Sequence, residues 1–371
     1  MKFVDEYRDP AQAQRLLAAI RRRSAGPMRI MEICGGHTHA IYKSGLDQLL
    51  PEGITFLHGP GCPVCVTPAL RIDQAIALAE GPGRIVATYG DMLRVPGARG
   101  SLRQAQARGA DVRIVYSSLD AVDLAARFKD REVVFFGVGF ETTAPANGMS
   151  ILRAARLGLE NFSVLGNHVL VPPVLRFLLD APGTEIDAFI GPGHVGTVVG
   201  SQDYAFLPRD YGRPVVIAGF EPNDLLEAVL MLVRQQAEGR CALEVQYRRA
   251  VREEGSPVAR EVMRQVFEVV DQEWRGIGRI PASGLGIRQE YAAYDALRRY
   301  AGELPEESPA DVGEYVCGAV VQGAKSPLSC PAFGVGCTPE HPFGPGMVSS
   351  EGACAALYHY RRTSPGKEAQ P

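Results

Sequence analysis

Residues 131–165 read REVVFFGVGFETTAPANGMSILRAARLGLENFSVL. Val133–Val138 is a short apolar run, rich in β-branched and aromatic residues, as a strand covered on both faces requires. GFETTAP (139–145) interrupts it, Gly148–Leu157 carries apolar residues at helical spacing, and Phe162–Leu165 is a second β-rich run. A strand, a helix and another strand in sequence are the signature of parallel α/β architecture.

The same alternation extends in both directions. Short β-rich runs occur at Arg29–Ile33, Ile54–Leu57, Arg84–Tyr89 and Val112–Tyr116, and again at Ile186–Ile190 and Pro214–Ala218. Helical spacing marks residues 11–23, Pro68–Ala79 with Thr67 as N-cap, and Leu119–Phe128. The expected fold is α/β, with two similar doubly wound parallel-sheet domains followed by a helical, cysteine-rich C-terminal domain. The boundaries this suggests are an N-terminal helical segment at 1–27, α/β domains at 28–130 and 131–223, and the last domain at 224–371, with helices at 224–238, 256–274 and 288–301. A short echo, GPGC against GPGH and GFE at 139–141 against GFE at 219–221, suggests the likeness of the two domains.

In such sheets ligands gather beyond the carboxyl ends of the strands. The unusual residues fall there: CGGHTH (34–39), GPGCPVC (59–65), GDMLRVPG (90–97), GFETTAP, GPGHVG (191–196) and GFEPND (219–224). Neither GFETT nor GPGHVG has the spacing of a phosphate loop, which disfavours nucleotide binding.

A chain of 371 residues favours two or three domains, and 46% hydrophobic with 22% charged residues is a globular balance. A formal charge of -3 gives no footprint for nucleic acid. The start, MKFVDEYRDPAQAQRLLAAI, lacks an apolar stretch long enough for a signal peptide or a membrane span, so the cytoplasm is the expected location. In that reducing compartment the eight cysteines suit metal ligation or thiol chemistry better than structural disulfides.

Cys317, Cys330, Cys337 and Cys354 lie in a Gly- and Pro-rich ending that cannot pack a conventional core. Four thiolates there suit an iron-sulfur cluster or a tetrahedral zinc; the alternative is ordinary buried cysteines. Cys62-Pro-Val-Cys65 precedes a helix whose N-terminus would favour a thiolate, consistent with a redox pair, half a zinc site or an inert turn. Cys34, His37 and His39 stand at a strand end, where Gly35 and Gly36 permit close approach and positive φ; an iron site and a plain glycine turn are both open. Asp91, Glu141 and His194 also follow strands and would manage protons in a shared crevice or, equally, cap helices and anchor loops.

Taken together, MEICGGHTHAIYKSG, LHGPGCPVCVTP, TYGDMLRVPG, GFETTAP, GPGHVGTVVG and CPAFGVGCTPEHPFGPGMVSSEGACAA resemble the HypD family of hydrogenase maturation proteins, in order across residues 28–360. The resemblance implies two α/β domains and a third bearing a 4Fe-4S cluster. It implies a scaffold that, with a HypC-type small chaperone, holds iron while CO and cyanide are added, cyanide coming from a HypE-type donor. By motif, Cys34 would bind the iron under assembly, Cys62 and Cys65 would be the redox pair, and Cys330, Cys337 and Cys354 would be cluster ligands. Tyr315 and Gly346 stand where the family tends to carry cysteines, which leaves Cys317 as the fourth ligand. An iron-sulfur-dependent thiol-disulfide reductase is the alternative function using the same cysteines.

Overall fold

The computed structural model describes residues 5–308 and 316–361. Among them, strands run in chain order as β1 Met28–Glu32, β2 Ile54–His58, β3 Arg84–Thr88, β4 Val112–Ile114, β5 Glu132–Gly139 and β6 Phe162–Val169. They continue as β7 Ala188–Pro192, β8 Val215–Ala218, β9 Leu243–Val245, β10 Phe267–Trp274 and β11 Gly278–Ile287. They form two sheets, in the orders β2-β1-β7-β8-β9 and β10-β11-β6-β5-β3-β4. The first is parallel throughout. The second is parallel from β6 to β4 and antiparallel where β11 joins β6 and β10 joins β11.

Each sheet is covered on both faces, which is why its strands are almost continuously apolar. The helices Pro10–Arg23 and Pro222–Ala237 place Leu17, Ile20, Leu226 and Val229 against Ile30 and Val216. On the opposite face of that sheet lies the helix Val171–Asp180, with Val174 and Leu175 toward Phe189. In the second sheet, Val134 and Phe136 meet the helix Ala69–Glu80, while Val133 and Phe135 meet the helices Ser118–Arg127 and Ala144–Arg156. Helix starts follow local chemistry: Ser117 with Asp120 forms a capping box, and Pro145 stands in the first turn of its helix.

Strand pairing does not follow chain order. β1 pairs with β7 and β3 with β5, so each sheet draws strands from both sides of residue 130. The GPG echo falls within one sheet, after β2 and across the end of β7. The sheets also differ, since only the second carries an antiparallel hairpin.

That hairpin corrects the helix expected at 256–274. The helix there, Pro257–Val266, ends where Phe267, Val269, Val270 and Trp274 favour a strand, and Gly276 (φ 76°) makes the turn. The helix expected at 288–301 is reduced to a 3-10 turn, Gln289–Tyr294, and the short helix Ala296–Arg299. Thr67 is not an N-cap: its hydroxyl donates to Pro63 O (2.8 Å), and the next helix starts at Ala69 without a side-chain cap. No helix among the described residues is long and apolar enough to cross a membrane.

Between the sheets, Met31, Ile33, Phe140, Val169 and Trp274 share one apolar cluster, so the carboxyl ends of β1 and of β5 and β6 meet. The segment 316–361 lies beside this junction. Arg94, just after β3, donates to Pro339 O (3.2 Å) and Val348 O (2.9 Å).

Candidate metal and thiol centre

Glu32, the last residue of β1, is fully buried. Its carboxylate accepts from Cys34 N–H (3.0 Å), from the Thr38 hydroxyl, and from His58 Nδ1 at the end of β2 (2.6 Å). A buried carboxylate is tolerated only with such partners. Here they tie the CGGHTH segment to the loop that follows β2.

Cys34 has extended backbone (φ -146°) and stands at the N-cap of the helix Gly35–Ser44. The helix N-terminus favours a thiolate, but burial, then Glu351 and Glu32, push the thiol up to about 12. At neutral pH it holds its proton until something positive displaces it. Gly35 and Gly36 are helical and do not use the positive φ expected of them. Close approach is what Gly35 provides: a Cβ there would stand 2.4 Å from Glu351 Cβ. Gly61 does the same for the following loop, where a Cβ would lie 2.3 Å from Cys34 N, and Gly61 O accepts from Gly35 N–H (2.9 Å).

The two histidines of CGGHTH face different ways. His37 is buried, approaches Ala218 O through Nε2 (3.2 Å) and stacks on Phe220 (4.6 Å), whose ring also stacks on His194 (3.7 Å). Burial holds both imidazoles below their usual pKa, so both are neutral, and His37 Nδ1 has no partner among the described residues. His39 instead meets the C-terminal segment. Its Nδ1–H donates to Ser350 O (3.2 Å), which leaves Nε2 to accept from the Tyr360 hydroxyl (3.1 Å).

Asp91 lies in the 3-10 turn after β3, near enough to Glu351 to raise its pKa together with burial, the larger cause. Glu141, after β5, is buried; its Oε1 accepts from Val171 N–H (2.9 Å), while Oε2 has no partner among the described residues. Burial pushes this carboxyl up to about 7. Tyr204 is buried, its hydroxyl has no partner among the described residues, and burial, then Glu141, Asp203 and Cys34, raise its pKa.

Cys62 and Cys65 form a disulfide. Cys317, Cys330, Cys337 and Cys354 come together with that disulfide, His58, Arg275 and Glu351 around a cavity of about 200 Å³. Burial first, then the neighbouring Cys317, Cys337 and Cys330, push the Cys354 thiol well above its usual range. A Cys354 thiol held back from ionising by burial and by its three neighbouring thiols suits a positively charged group bound there. Among the described residues no three His, Cys, Asp or Glu side chains stand close enough for one metal ion. Four thiols around one cavity are the donor type that an iron-sulfur cluster or a zinc ion takes. Gly346 lines the same cavity, and a Cβ there would lie 3.6 Å from Cys354 Sγ. Tyr315 lies outside the described residues.

Sequence reasoning missed Glu32, His58, Phe220, Arg275 and Glu351. Two carried a visible signal: Glu32 interrupts an apolar strand, and Glu351 precedes Cys354 within SSEGAC.

The family model described as HypD, Hydrogenase formation hypA family, matches residues 11–361. A hydrogenase maturation factor HypD of Rhodobacter capsulatus is 53% identical over 372 residues, covering 97% of this chain and 98% of that protein. One of Azotobacter vinelandii is 52% identical, with 98% and 97% covered. One of Escherichia coli (strain K12) is 49% identical, with 98% and 99% covered.

Proposed function

The chain belongs to the HypD family of hydrogenase maturation factors, and from that premise we propose that it is the scaffold on which the iron of a [NiFe]-hydrogenase acquires CO and cyanide. It works in the cytoplasm with a HypC-type small chaperone and a HypE-type cyanide donor. The observation that carries this reading is the place of Glu351, which packs on Gly35 beside Cys34 and also lines the cavity holding the disulfide and the four C-terminal thiols.

Cys34 takes the iron as cargo. A thiol pushed up to about 12 loses its proton when iron binds the sulfur, and because that proton passes to solvent, iron uptake is favoured by rising pH. Glu351 and Glu32 are the carboxylates nearest that event. His37 donates through Nε2 to Ala218 O, which leaves Nδ1, without a partner among the described residues, as a proton acceptor beside this site, and Phe220 and His194 hold its ring. Glu141 and Tyr204 hold protons deeper in the fold.

Cys317, Cys330, Cys337 and Cys354 hold a 4Fe-4S cluster, which supplies one-electron transfer when bound. Cys62 and Cys65 store two electrons and two protons on passing from disulfide to dithiol. A thiol-disulfide reductase would use the same disulfide but leaves Cys34 and its carboxylates without a task.

Anaerobic co-purification with the HypC-type partner, followed by infrared spectroscopy, tests the assignment. Wild-type complex should show CO and cyanide stretches, and Cys34→Ser, which replaces a soft ligand with a hard one, should lose them while keeping fold and cluster. Stretches retained in Cys34→Ser would move the iron to another site. Either His37→Ala or His39→Ala should reduce the signal less than loss of the thiol.

A further inference from the structure

Residues Phe343, Gly344, Pro345 and Gly346 pass in succession along the wall of the thiol cavity. Phe343 N–H donates to Cys337 Sγ (3.3 Å), and Pro345 O stands 4.0 Å from Cys65 Sγ of the disulfide. A Cβ on Gly344 would lie 2.7 Å from Cys317 Sγ, and one on Gly346 would lie 3.6 Å from Cys354 Sγ. The second distance is ordinary van der Waals contact, whereas the first is closer than a carbon and a sulfur approach without something moving.

The backbone does not ask for glycine at position 344. Its φ of -133° and ψ of 160° are extended and open to any residue. What the missing side chain provides is room for the Cys317 sulfur. Cys317 opens the helix Cys317–Val321, and that helix is seated on the β10-β11 turn: a Cβ on Gly318 would lie 2.6 Å from Gly276 O, which also accepts from Gln322 Nε2 (2.7 Å). With its backbone held there, the thiol keeps only its own χ1 rotation. A free thiol can swing aside from a new methyl group at small cost, but a thiol bound to a metal group has lost that rotation.

We infer that Gly344 is a positioning residue of the thiol site, reserving the place from which Cys317 Sγ reaches the bound group, an inference resting on the proposed cluster at the four thiols. Its substitution should therefore act on loading and not on the metal-free chain.

The experiment reconstitutes full-length protein anaerobically with ferrous iron and sulfide and measures both per folded chain. Gly344→Ala should keep about a tenth of the wild-type loading, the scale of loss expected when the surroundings of a metal ligand are disturbed, while its metal-free form melts with the wild type. Gly346→Ala should lower loading less. Cys317→Ala empties the contested space, so adding Gly344→Ala to it should lower neither loading nor melting temperature any further. A turn that simply needs glycine would lose more in the double variant. Gly344→Ala loaded like the wild type overturns the inference, as does a double variant that loads less or melts lower than Cys317→Ala alone. If Gly344→Ala does not fold by itself, a folded double variant supports the inference and an unfolded one overturns it. Wild-type protein that takes up no iron and sulfide refutes the cluster reading itself, a different result from a wild type and a Gly344→Ala variant that load equally.

Discussion

The six-stranded sheet and the segment 316–361 meet near one cavity but are stabilised in different ways. The sheet is sandwiched between two large apolar clusters, with Phe135, Phe136, Val133 and Val134 fully buried. The segment has two small clusters, one built on Tyr42, Ala356 and Leu357 and the other on Cys337, Met347 and Ala355, and adds Val348, with Val321 beside it, to one of the sheet's large clusters. Its helices are short, apart from Ala353–Arg361. Apolar burial at ~25 cal/mol per Å² sustains the sheet. The segment has too little of it, and its thiols sit where a metal group would supply the rest. The sheet should therefore fold without the segment's ligands, whereas the segment should need them.

Removing a thiol gives the largest expected effect. Cys337→Ala, or removal of the metal with a chelator, should abolish hydrogen-exchange protection throughout 316–361 while β3, β5 and β6 keep theirs. A segment that stays protected would mean that its small apolar clusters suffice, and the contrast would collapse. Phe135→Ala probes the other side. It should lower global stability by about 3–5 kcal/mol in denaturant titration, with iron and sulfide per folded chain unchanged. Joint loss of both would make the two regions one cooperative unit.

A smaller effect separates the regions by pH. Glu141 titrates near 4.5 when unfolded and about 7 when folded, because burial favours its neutral form. The folded state then binds the proton more tightly, so this contribution is fully present below the unfolded value and is lost as pH rises toward 7. The loss is at most about 3 kcal/mol. Glu141→Gln keeps an oxygen for Val171 N–H and removes the titration, so the stability of the variant should be flatter between pH 4.5 and 7. A wild-type curve already flat there would show that Glu141 is ionised in the fold.

Residues 131–165 were legible because one βαβ unit contains its own evidence: the expected elements appear as Glu132–Gly139, Ala144–Arg156 and Phe162–Val169. Which strands pair was not legible, since β1 reaches β7 across more than a hundred residues of chain. The β10-β11 hairpin was hidden because the helical spacing of Val262 and Val266 runs on into Val269 and Val270, so the strand preference of Phe267, Val269 and Val270 was masked by it. The cysteines and histidines of the site were legible by residue type. Their electrostatics were not: Glu32, fully buried, and Glu351, at the surface of the segment, read as ordinary carboxylates until the fold brings both close enough to raise the Cys34 thiol.

The smallest prediction concerns the seam between the regions. His39 belongs to the α/β framework, while its two polar partners, Ser350 and Tyr360, belong to the segment. The Ser350 carbonyl can only accept, so it fixes the imidazole proton on Nδ1 and makes Nε2 the acceptor for the Tyr360 hydroxyl. Tyr360→Phe removes that one bond and retains the edge-on ring contact at 5.2 Å. The expected cost is about 1 kcal/mol, confined to the helix Ala353–Arg361. His39→Ala removes both bonds and the ring contact, so it should loosen the same helix further while leaving β1 protected. Hydrogen exchange resolved by residue checks both. If Tyr360→Phe also speeds exchange in β1 or β7, the seam transmits stability between the regions, and the separation drawn from their cores is too sharp.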